Sequence, residues 1–225
     1  YIGLLNKFFQ KTNNPYYKKK LEQTIDFINL EFKNEFDLYG SAYDADSDGV
    51  EGKYYVWNYE ELKNTLGSKF NSFAKKYIIK EEGNFEGNNI LIENHNKLSD
   101  EETKEISIIE KALLDQRNKR AKPLFDDKSQ TDQNCFLLET LLFSSLVTDN
   151  EELKQNTLTS INILEKYLSD KIFHCYQDTE IDAFLEDYVY YASLLITIYE
   201  LDGEDIYIEK AKDILIKTWE FFFDK

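Results

Sequence analysis

Carboxylates set beside aromatic rings recur along this chain, and their types suit either metal or sugar chemistry. Tyr43 to Trp57 reads YDADSDGVEGKYYVW. Asp44, Asp46 and Asp48, followed by Gly49, match the opening of a calcium-binding EF-hand loop. The loop's last ligand should be a bidentate Glu, and Tyr55 stands there. Glu51 occupies the position that is normally apolar, and the exit KYYVW reads as strand. These failures disfavour an EF-hand; a looser calcium site stays open, and no metal is assigned. Aromatic rings stack on the apolar face of a pyranose, while carboxylates accept from its hydroxyls. Tyr43 and Trp57 are thus candidate stacking residues, with Asp44 and Asp46 as hydroxyl partners. A solvated turn is the plainer reading of Asp48.

Three further words carry similar chemistry. GNFEG at 83 to 87 adds Phe85 for stacking and Glu86 for hydroxyls, against the plainer reading of a turn with an anchoring Phe. FDDK at 125 to 128 offers Asp126, Asp127 and Lys128 just ahead of a helix; FLEDY at 184 to 188 offers Glu186, Asp187 and Tyr188. General acid/base work needs one carboxyl kept neutral by burial and another ionised. Capping a helix N-terminus is the plainer role for either pair. His95 and His174 belong to no HExxH or His-Cys cluster, and adjacent His174 and Cys175 are not arranged as a dyad. No nucleophile elbow or Gly-rich phosphate loop is present, and no motif requires a cofactor.

The elements that must position these residues read as helices. Glycine (8) and proline (2) are scarce in 225 residues, which disfavours a fold of many short strands. Helices are predicted over residues 1–11, from Pro15 to about Phe36, from about Tyr59, and from Ser68 to Tyr77. Another begins after Ser99, whose spacing to Glu102 fits a capping box. Four more fall at about 132–147, 150–169, 185–201 and 204–223, with Gly203 a stop between the last two. A short β-hairpin is predicted within residues 39–57. The fold class is all-α: one helical domain over 1–225, built from hairpins.

The formal charge of −16 disfavours nucleic acid as a partner. No apolar run reaches the ~20 residues of a membrane helix. Cys135 and Cys175 are read as free buried thiols in a reducing cytosol. The chain begins inside an apolar helical pattern and contains no Met, so it is read as a fragment of a longer, cytoplasmic protein.

In their order, SAYDADSDGVEGKYYVW, GNFEGNNIL, RAKPLFDDK and AFLEDYVYY resemble the YyaL / spermatogenesis-associated protein 20 family. That resemblance implies a thioredoxin-like domain, absent here, followed by an (α/α)6 barrel like those of N-acylglucosamine 2-epimerases and six-hairpin glycosidases. The chain would then be an incomplete toroid, with the acidic and aromatic words gathered at one mouth. Two departures stand out. The family's Trp-Asn-Gly step is Gln133-Asn134-Cys135 here, and His174 falls where an Arg is common.

The implied function is acid/base chemistry on a sugar ligand. Asp126, Asp127, Glu186 and Asp187 are the catalytic candidates. Tyr43, Asp44, Asp46, Trp57, Phe85, Glu86, Lys128, Asn134 and Tyr188 are the binding candidates. The alternative is a non-catalytic scaffold supporting the thioredoxin-like domain of the parent protein. Neither histidine lies in a matched motif, so an epimerase-type histidine pair gains no support at this level.

Overall fold

The computed structural model describes residues 1–94, 96–168, 171–175 and 181–223, so His95 lies outside the described residues. The chain is mostly α-helical, with only short strands, as the composition predicts. It forms two compact units: Tyr1–Ala42 with Asp126–Lys225, and Tyr43–Phe125. No helix is long and apolar enough to cross a membrane among the described residues. Both cysteines are buried.

The first unit holds α1 (Ile2–Thr12), α2 (Pro15–Glu31), α6 (Thr131–Thr148), α7 (Glu151–Tyr167), α8 (Leu185–Asp202) and α9 (Asp205–Phe222). Sequential pairs α1/α2, α6/α7 and α8/α9 pack on each other through links of two residues. α6 also packs on α1 and α8. Neighbours on three sides explain why α6 buries residues around much of its circumference, from Thr131 and Cys135 to Leu138, Leu141, Leu142 and Ser145. α7 keeps a single apolar stripe: Leu153, Thr157, Ile161 and Leu164, continued by Leu168. Polar groups lock the α6–α8 contact, where Ser193 and Thr197 hydroxyls donate to Glu139. Gly203 ends α8 in the left-handed region, φ 75°.

α2 stops at Glu31, five residues short of the predicted end. Asn34 ends it: its Oδ1 accepts from the amides of Phe36 and Leu38, turning the chain back. Such local side-chain bonds compete with helix continuation.

The second unit holds α3 (Tyr59–Leu66), α4 (Phe70–Lys76) and α5 (Asp100–Arg117), around a core of Trp57, Leu62, Phe73, Ile106, Ile109 and Leu113. Ser99 and Glu102 close the predicted capping box. Strands β2 (Asp46–Ser47) and β3 (Val50–Glu51) pair antiparallel, with Asp48 and Gly49 at positive φ between them. The DADSDG word is therefore a two-residue Asp-Gly hairpin, a tight turn. β4 (Tyr77–Ile78) pairs with β5 (Ile92–Glu93). In the first unit, β7 (Phe173–Cys175) pairs with β8 (Ile181–Asp182). β1 (Ala42–Tyr43) and β6 (Phe125–Asp126) are the two places where the chain passes between units.

Candidate acid/base site at the N-termini of α6 and α8

Gln130, the residue preceding α6, makes no side-chain cap. The first amides of a helix still need acceptors. Asp187, in the first turn of α8 and fully buried, supplies one. Its Oδ1 accepts from the Asp132 amide at 3.0 Å, and its Oδ2 from the Phe184 amide at 2.8 Å. One carboxylate thus caps two helices and sits at the positive ends of both dipoles.

A third donor completes its shell. β7 is held against the start of α6 by the Thr131 hydroxyl, which donates to the Phe173 carbonyl, and by a bridge between Gln130 and Cys175. This places His174 Nδ1 at 3.1 and 3.0 Å from the two Asp187 oxygens. The Phe184 ring meets the imidazole edge-on, centroids 4.8 Å apart. Because Asp187 has only lone pairs to offer when ionised, Nδ1 must carry the proton there. Nε2 then presents a lone pair and has no hydrogen-bond partner among the described residues. His174 keeps 16% of its side-chain surface exposed while Asp187 keeps none. Burial pushes the Asp187 carboxyl up, outweighing the lowering by its three donors.

Asp132 stands beside this pair. One ligand-type atom each from Asp132, His174 and Asp187 lies within 4.8 Å of the others. A divalent cation held through Nδ1 would have to take the place of the proton that nitrogen shares with Asp187. The arrangement as it stands is an oriented imidazole backed by a buried carboxylate, which is suited to moving a proton at Nε2.

The other candidates in this unit are placed as follows. Asp126 Oδ1 pairs with Lys128 Nζ at 2.8 Å, and that bond holds its carboxyl below the ordinary range. Asp127 and Glu186 are exposed. Asn134 is buried and commits its amide to the backbone, accepting from the Tyr39 amide and donating to the Tyr39 and Gln130 carbonyls. Tyr188 is half-buried against Phe221 and Phe222. Of the four catalytic candidates, only Asp187 joins the cluster.

In the second unit, Trp57 is buried, with the Arg120 guanidinium 4.1 Å from its ring. Arg120 also donates to the carbonyls of Lys53, Tyr54 and Val56 and pairs with Glu61. Tyr43 stacks on Phe125 at 4.8 Å. Asp44 and Asp46 are exposed, and Asp44 Oδ1 accepts from the Asp46 amide. Phe85 and Glu86 line a cleft of about 280 Å³ with Lys53, Asn58 and Asn88.

Sequence reasoning missed His174 as a partner of Asp187. The two are thirteen residues apart, in different elements, and only tertiary packing joins them.

No family model matches this chain, and no curated protein matches it.

Proposed function

We propose that this chain moves a proton on a sugar, with His174 as the acid/base and Asp187 as the group that orients it. The His174–Asp187 contact is the observation that carries this reading. We further propose that the chain is a member of the YyaL / spermatogenesis-associated protein 20 family, and that its helix hairpins are part of an (α/α)6 toroid. The order of DADS, GNFEG, DDK and AFLEDY supports membership, and Asp187 belongs to the last of these words. In this reading the thioredoxin-like domain of the parent protein is its partner, in the cytoplasm.

A single imidazole favours removal and return of a proton beside a carbonyl over two-carboxylate glycoside hydrolysis. Hydrolysis needs a protonated acid facing the substrate, whereas Asp126 is held ionised by Lys128 and Asp187 is enclosed. The scaffold reading is favoured by a different observation: Asp187 is also the cap of two helices, a role that needs no substrate.

Incubation with free and N-acylated aldoses in deuterated water separates the two. Acid/base chemistry at His174 exchanges the hydrogen beside the carbonyl, read by proton NMR, and His174→Gln abolishes exchange while still melting cooperatively. If the wild-type chain exchanges no sugar in the panel, the scaffold reading stands instead.

A further inference from the structure

The helix hairpins of the first unit leave two apolar faces exposed, and the charges around them differ in sign. α1/α2 packs on α6 through α1, and α8/α9 packs on α6 through α8. On the first hairpin Leu4, Phe8 and Tyr16 are exposed. Phe8 stacks on Tyr17 at 5.1 Å, and Tyr17 meets Tyr16 edge-on at 5.6 Å, so this patch runs across both helices. On the second hairpin Ile196, Ile208, Leu215, Ile216 and Trp219 line a groove of about 370 Å³ where α9 meets α8.

Every charged side chain in residues 1–20 is a lysine, and α2 turns acidic only from Glu22 onward. Every charged side chain from Glu186 to Glu209 is acidic, and all of these except Asp187 are exposed. Glu200, Asp202, Glu204 and Asp205 surround the α8/α9 turn, beside the end of the groove at Ile208. Of the lysines on α9, Lys210 is bonded to Glu165 and Lys212 to Glu209.

We propose that copies of this chain associate head to tail, with the α1/α2 patch of one seated in the α8/α9 groove of the next. A groove between two helices takes a third along its apolar stripe. Charge selects this pairing. α8/α9 against itself sets carboxylates against carboxylates, and α1/α2 against itself sets lysines against lysines; the unlike faces neutralise each other. The contact uses a different surface on each copy, so it builds chains or rings instead of a closed symmetric dimer. Ion pairs enclosed in it are screened by salt far less than the long-range repulsion between two chains of charge −16. The contact is independent of the chemistry at His174.

Sedimentation of the full chain at about 0.5 M salt, where that repulsion is screened, tests the proposal. Wild type forms species larger than a dimer as concentration rises. Two variants, altered at exposed positions, each block one face: Leu4→Glu with Tyr16→Glu, and Trp219→Glu. Each alone is monomeric and melts as wild type does. Their equimolar mixture forms a dimer and nothing larger, because one intact face of each kind remains. A wild type that stays monomeric or stops at a dimer overturns the proposal without any variant. A dimer of the Leu4/Tyr16 variant alone assigns the contact to α8/α9 with itself, and a dimer of Trp219→Glu alone assigns it to α1/α2 with itself; either overturns the proposal, as does a mixture that stays monomeric.

Discussion

Asp187 carries two loads at the residue scale: it caps α6 and α8, and it fixes the tautomer of His174. Asp187→Ala strands two backbone amides and an imidazole donor, so a loss of about 3 kcal/mol is expected in urea unfolding. Asp187→Asn keeps an acceptor oxygen but not the charge, and its effect depends on pH. Burial raises the folded-state value of this carboxyl, so the folded chain holds the proton more tightly than the unfolded one. The group's contribution is then full below the unfolded value of about 3.9 and is lost as pH rises through the raised folded value. Stability of wild type relative to Asp187→Asn should therefore fall as pH rises from about 4 through that window. A relative rise over the same range would show that the bonds from His174 and the amides outweigh burial.

Elements differ in how openly the sequence declares them. The helices were legible because their apolar spacing, the Ser99 cap and the Gly203 stop agree locally. The first turn of α8 departs from apolar spacing: Asp187 is buried there while Leu185 is 42% exposed. A carboxylate takes the inner position there because two helix ends and a histidine supply its donors, and no spacing rule reports that. Asn134 was read as a ligand group, yet it pins Tyr39 to α6 across ninety-five positions of sequence. GNFEG, in contrast, is a hairpin turn with Glu86 and Gly87 at positive φ, closed by the Phe85–Asn88 bridge. Gly83 lies beneath it, where a Cβ would stand 2.5 Å from the Asn88 carbonyl oxygen at φ +81°. Gly83→Ala should therefore cost about 2 kcal/mol or more. Hydrogen exchange should localise that loss to the second unit; unchanged protection at Asn84 and Asn88 would contradict the turn described.

On the whole molecule, charge and apolar surface pull in opposite directions. α9 exposes Ile216 at 49%, Trp219 at 63% and Phe221 at 63%, beside a shallow apolar cleft that includes Leu215 and Ile196. Patches of this kind drive association, while a net charge of −16 opposes it until salt screens the repulsion. Light scattering should show self-association that grows from low to high salt, and Trp219→Glu should suppress it; a salt-independent monomer would contradict this. The intact chain has only two histidines, so its imidazole nitrogens can be assigned and followed by long-range proton–nitrogen NMR. The account predicts that neutral His174 carries its proton on Nδ1, and that Asp187→Ala releases it to the tautomer mixture of a free imidazole. A wild-type His174 protonated on Nε2 would contradict the central claim, because the nitrogen offered to a substrate would then hold no lone pair.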